Sequence, residues 1–384
     1  MEEEGKVPHS KLYIFLNFFT ITASIVIIYI ICVHDSADAL KSYEAPRSLE
    51  FAIIAFRHGS RSPVSTFPTD TSQWPDGRKV LTSRGKSQML KRGQALRERY
   101  GNFFNNTFRQ QDFLIRTTNR SRTRMSLEIL LSGMFPPDLS QPGNWQPVNI
   151  LTDNFDKTHI AADEKICPKY SSEQFTDLQF DAYLQREKDF VKFLYDRTGL
   201  VIHDPHDMLI IWDVLKCSAE EGLSLPDWAT KNVTNKLNNE IENIMHSVVA
   251  SSPRATTFIE GLLIHYFNNW LTQRSSGNAS EKFLIHSGHD YTLLSLLTVV
   301  GFKHVDIIPP ATVLIFEVHK AHRSHEVKLV LYNSTSFENS EEIAEPISVD
   351  MPRCSGKCTL EKFQSILKEY EIDENAWIER CFEQ

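Results

Sequence analysis

Apolar residues come in two kinds of run along this chain. Short uninterrupted runs at 51–56, 113–115 and 283–285 have the length and content of strands buried on both faces. Longer stretches at 82–100 and 121–131 repeat apolar residues every three or four positions, which predicts amphipathic helices. The first opens on a Thr or Ser cap, and Pro136-Pro137 stops the second. From about 165 to 250 the pattern is helical only, around 172–198, 206–217 and 227–249, which predicts an inserted helical subdomain. Alternation then resumes, with helices at 256–273 and 291–299 around the 283–285 strand and two last strands at 313–318 and 327–332 near the end of the sheet. The order predicts an α/β fold, a sheet flanked by helices with a helical cap inserted.

Polar groups follow three of these strands directly: Arg57 and His58, then Arg116, then His289 and Asp290. Open α/β sheets bind ligands at that edge. In Arg57-His58-Gly59-Ser60-Arg61 the glycine permits a tight turn, and two guanidinium forks flank one imidazole. The forks match phosphate oxygens, and neighbouring cations keep a ring nitrogen of His58 unprotonated for attack on phosphorus. A bare His-Gly pair is otherwise most often an ordinary loop. Arg116, ending its strand, is expected at the same edge as a third clamp, with Arg120, Arg122 and Arg124 read as helix surface or core-edge packing. Asp290 is placed to protonate a leaving oxygen and His289 to bond the phosphoryl group, although alone Asp290 reads as a helix cap. No metal is expected, because His286 should point away from this edge and the arginines repel a cation.

Composition narrows the setting. Of 384 residues, 41% are hydrophobic and 23% charged, values of a globular chain, and the net charge of −8 speaks against a nucleic-acid partner. Residues 12–33 carry no charge and suit either an uncut membrane anchor or a signal peptide cut near Ala37-Asp38-Ala39, with 1–11 as the preceding cytoplasmic or signal segment and 34–48 as a linker. Either way the remainder, 49–384, lies outside the cytosol: secreted, lysosomal or anchored. Beyond Cys32, five cysteines remain, an odd number that implies two bridges and one free thiol in an oxidising space. Sequons at Asn105, Asn232, Asn278 and Asn333 fit a glycosylated surface there.

The pattern Arg57-His58-Gly59-x-Arg61-x-Pro63, Arg116 in an Ile-Arg-Thr-Thr context, and His289-Asp290 resemble the histidine acid phosphatases. Residues 66–70, 135–137, Ile211-Trp212, Leu225-Pro226-x-Trp228 and Cys354 to Cys358 extend the likeness over 50–384. The resemblance implies a phosphoglycerate mutase-like sheet with a helical cap and no cofactor. It also implies hydrolysis of small-molecule or protein phosphate monoesters, with His58 taking the phosphoryl group and Asp290 as general acid. Arg57, Arg61, Arg116 and His289 would hold the phosphate. Family bridges would be Cys167 with Cys381 and Cys354 with Cys358, leaving Cys217 free, and relatives are often homodimers. Ser60 and Asn119 stand where relatives usually have Asp, and Tyr291 where Thr is usual. Two alternatives stay open: an impaired phospho-ligand binding protein, or an inositol-phosphate or lysophospholipid phosphatase of the same family.

Overall fold

The computed structural model describes residues 45–383 except 106–107, 137–145, 153–166, 174–178, 304, 323 and 334–344. The apolar run at 12–33 lies outside the described residues, among which no helix is long and apolar enough to cross a membrane.

Strand β1, Leu49–Arg57, is buried along nearly its whole length because it is covered on both faces. Phe51, Ile53 and Ala55 point into one apolar cluster, and Ala52, Ile54 and Phe56 into another on the opposite side. It lies in an eight-stranded mixed sheet with β2 (Phe113–Thr117), β3 (Leu151–Thr152), β4 (Phe283–Gly288), β5 (Val313–Ala321), β6 (Ser324–Tyr332), β7 (Ile347–Val349) and β8 (Cys358–Thr359). The order is β3-β2-β4-β1-β5-β6-β7, with β8 also beside β6. Strands β3, β2, β4 and β1 are parallel, and β5 turns antiparallel against β1. The strand predicted near the end of the sheet at 313–318 therefore lies next to its centre, the sheet being extended past it by β6 and β7.

Helices α1 (Ser83–Tyr100) and α2 (Ser121–Met134) cover the Ile54 face. Thr82 caps α1, its hydroxyl accepting from the Gly85 N–H at 3.1 Å. Helix α3 (Pro168–Glu173) opens the inserted segment and packs through Tyr170 into the Phe51-side cluster, and the cap holds α4 (Phe180–Arg186), α5 (Lys188–Thr198), α6 (Pro205–Glu220) and α7 (Lys231–Ala250). The helix predicted as one over 172–198 is broken: α4 and α5 meet at Glu187, whose φ of −101° and ψ of 22° leave the helical basin. Met208, Ile211, Leu237 and Ile241 form the cap's own core, and Phe67 from the loop after β1 inserts into it. On the Phe51 face lie α8 (Pro253–Ser275), α9 (Asp290–Val299), α10 (Leu360–Lys368) and α11 (Glu374–Phe382).

Two disulfides join Cys167 to Cys381 and Cys354 to Cys358, and Cys217 is free and buried. One buried charged network ties β5 to α1. The Glu317 carboxylate accepts from Arg99 Nε at 2.7 Å and the Tyr100 hydroxyl at 2.6 Å, and lies 3.1 Å from His319 Nε2. Burial opposes its ionisation, but the bonds from His319 and Arg99 and the Arg99 charge outweigh that and hold the carboxyl down at about 2.

Candidate active site

At the carboxyl ends of β1 and β4 the chain departs in different directions, toward α1 after β1 and toward α9 after β4. Such a divergence opens a crevice at the sheet edge. The His58 N–H donates to the Gly288 carbonyl at 3.2 Å and its carbonyl accepts from Ala311 N–H at 3.1 Å, which fixes the histidine backbone between β4 and β5. Gly59 then lets the loop touch α1. A Cβ there would lie 2.4 Å from the Gly85 carbonyl oxygen, and one on Gly85 would lie 2.1 Å from that of Ser60, so neither position has room for a side chain.

The His58 imidazole is 2% exposed, so each ring nitrogen needs an account. Nδ1 is 2.8 Å from the Gly59 carbonyl, which only accepts, so Nδ1 carries the proton and Nε2 the lone pair. Nε2 faces Arg122 Nε–H at 3.1 Å. Burial first, then the charges of Arg122, Arg57 and Arg61, hold this imidazole well below the ordinary 6.5. The result is a neutral, oriented ring whose unprotonated Nε2 accepts a hydrogen bond from Arg122 within a cluster of cations.

Arg57 is anchored by the Ile308 carbonyl and pairs with Asp290, Nη2 to Oδ2 at 3.1 Å. Arg61 is gripped from the cap: both its Nη atoms bond the Asp213 carboxylate, at 3.0 and 2.9 Å, and Asp213 also accepts from the Val64 N–H at 2.7 Å. Cap and site loop are thereby joined at one carboxylate. His289 lies across from His58 with ring centroids 5.6 Å apart, and Arg122 Nη2 is 3.4 Å from its Nδ1. Since arginine only donates, Nδ1 accepts and His289 Nε2 donates to the Thr118 hydroxyl at 3.0 Å. Asp290 opens α9 as its first residue.

The structure thus brings Arg57, His58, Arg61, His289 and Asp290 together. It does not bring Arg116. Strand alternation places Arg116 beside His286 and on the same face as Leu114, where its guanidinium stacks 3.8 Å over the Tyr266 ring of α8. The third guanidinium at the imidazole is Arg122, read from sequence as helix surface or core edge. Residue two of α2 stands at a helix N-terminus that begins on the ligand edge, and that position was the available signal. Burial and the neighbouring Arg61 bring Arg122 down to about 10, still charged in neutral or acid solution.

The three departures are also located. The Ser60 hydroxyl is buried without a hydrogen-bond partner, Asn119 accepts from Arg124, and the Tyr291 ring stacks on His289 at 5.1 Å. Of the sequon asparagines, Asn105, Asn232 and Asn278 are exposed and Asn333 is half-buried.

A parallel-centred α/β sheet with an oriented imidazole and three arginines at its edge defines a phosphate-handling enzyme. Comparison with known proteins gives the family. The model of the histidine phosphatase superfamily (branch 2) matches residues 48–192. Lysosomal acid phosphatase of Xenopus laevis is 31% identical over 354 residues, 87% of this chain and 79% of that one. Prostatic acid phosphatase of Mus musculus is 28% identical over 349 residues, covering 87% and 89%. Among solved structures, the phytase from Citrobacter braakii shares the fold with a TM-score of 0.63 at 16% identity, over 85% of this chain and 98% of that one. The chain belongs to the histidine phosphatase superfamily, branch 2, among the histidine acid phosphatases, and is a phosphatase.

Proposed function

We propose that this chain is an acid phosphatase that works through a phosphohistidine on His58, with Asp290 as general acid and then general base. The observation that carries the reading is the tautomer: Nδ1–H tied to Gly59 leaves Nε2 as an unprotonated nucleophile facing Arg122. In the first step the Nε2 lone pair forms a bond to phosphorus, the ester P–O bond breaks, and the Asp290 carboxyl gives its proton to the departing alkoxide oxygen. In the second step Asp290 takes a proton from water, whose oxygen bonds to phosphorus as the P–Nε2 bond breaks, releasing phosphate and returning the lone pair to Nε2. Arg57, Arg61 and Arg122 hold the equatorial oxygens as charge redistributes, with His289, its ring fixed by Thr118, beside them.

The Asp290 pairing with Arg57 suits this cycle. A phosphate dianion that engages Arg57 competes with Asp290 for that cation, which frees the carboxyl to face the leaving oxygen. Turnover is then expected in acid. The names of the relatives, the two bridges and the exposed Asn105, Asn232 and Asn278 support a glycosylated protein outside the cytosol, with 12–33 as anchor or removed signal.

The test is phosphate release from phenyl phosphate at about pH 5 by wild type, His58→Ala and Asp290→Ala. Turnover by wild type with loss of about 1,000-fold or more in His58→Ala supports the reading. A wild type that binds phosphate without turnover would move the impaired-binder alternative ahead.

A further inference from the structure

The phosphoryl end of the site is crowded with cations, but the other side of Asp290 has the opposite character. Asp290 also lines a narrow crevice of about 30 Å³ between cap and sheet. Its apolar walls include Trp212 of α6, Met245 of α7, Leu294 of α9 and Ile307 from the segment before β5, and it carries two further carboxylates, Glu242 and Asp306. None of the described residues lining it is basic. Glu242 also accepts from the Ile307 N–H, which ties it to the same segment that carries Asp306.

Position makes this crevice relevant to substrate. A general acid works within hydrogen-bond reach of the oxygen it protonates, so the group attached to that oxygen must occupy space adjoining Asp290. Resting on the reading of Asp290 as that acid, we propose that this crevice is the leaving-group subsite. It selects phosphate monoesters whose alcohol part is slender, with an apolar stem that is neutral or ends in a cation, and rejects alcohol parts bearing further phosphate or carboxylate. Trp212 and the aliphatic side chains cover the stem, and Asp306 sets the charge preference across a partly desolvated gap, with Glu242, whose carboxyl burial and then Asp306 push up, adding to it as it ionises. Slenderness follows from the volume, and a polyphosphorylated ring meets both walls and charge.

Three esters of nearly equal size separate charge from shape: ethyl phosphate, O-phosphoethanolamine and phosphoglycolate. With the full chain at about pH 5 and low salt, kcat/KM for O-phosphoethanolamine and ethyl phosphate is expected to exceed that for phosphoglycolate by about tenfold or more. In Asp306→Asn, and further in Glu242→Gln with Asp306→Asn, the ratio of phosphoglycolate to ethyl phosphate should rise about tenfold. Salt at about 0.5 M should narrow the wild-type gap. Equal rates on all three esters in wild type, or a ratio unmoved in both variants, would overturn the subsite while turnover of phenyl phosphate leaves the phosphohistidine reading intact. Absence of turnover with every ester, phenyl phosphate included, overturns that reading and the subsite with it.

Discussion

His58 is kept neutral by its surroundings, and this has a thermodynamic sign. The folded imidazole resists a proton that the unfolded chain accepts near 6.5, so the penalty is absent above that pH and grows as pH falls below it. Replacing His58 with Gln removes the penalty. The His58→Gln protein is therefore expected to unfold at a higher temperature than wild type at about pH 5 and to lose that advantage near pH 8, as thermal scans at both pH values would show. A second prediction separates two arginines six positions apart. Arg122→Ala should lower kcat/KM by about 100-fold, as for loss of one donor to a developing oxyanion. Arg116→Met, under Tyr266, should keep kcat/KM within a factor of about three and lower the unfolding midpoint instead, as kinetics and melting of the two variants would show. The strand ends at His58 and Asp290 were legible because several buried runs, each leading into polar residues, point to one sheet edge, although each alone also reads as a loop or a cap. Arg116 misled because the end of a strand says which edge a residue is near, while its side chain goes where the two-residue alternation sends it.

At the scale of elements, α1 and β5 are joined by charges inside the core. Glu317 titrates at about 2 in the fold and near 4.5 unfolded, so its contribution is complete above the unfolded value and is lost as pH falls toward 2. A shift of that size corresponds to roughly 3 kcal/mol. Glu317→Gln should lower stability to denaturant by that order at about pH 6 and by much less at about pH 2.5, checked by urea titration at the two values. A network intact at about pH 5 suits the acid turnover proposed above. Sequence periodicity found both elements but not this link, since Glu317 lies 218 and 217 positions from Arg99 and Tyr100 and meets them only when β5 lies beside β1. The break at Glu187 was equally silent, because neither Gly nor Pro marks it. The cap's purely helical pattern, by contrast, read through to the structure, its helices closing on a core of their own.

For the whole molecule, the Cys167–Cys381 bridge fastens the start of the inserted segment to the last helix across a sequence separation of 214. A loop that long gives on the order of 5 kcal/mol by chain entropy. The Cys167→Ser, Cys381→Ser protein should show a large fall in the denaturant midpoint, whereas opening the four-residue Cys354–Cys358 loop should cost less. Equal losses from the two bridges would contradict this.

The sheet order has a further consequence, for the order of events during synthesis. Strand β1 is made early, yet both strands that flank it, β4 and β5, come from the last third of the chain. Until residues 283–288 have left the ribosome, the strand that leads into His58 has neither edge paired, and until 313–321 follow it has only one, so it must wait as an exposed apolar segment. Long-range pairing of this kind slows folding and prolongs exposure to aggregation. A chain interrupted before β5 would carry every residue of the catalytic cluster and still lack the partner that holds the nucleophile in place.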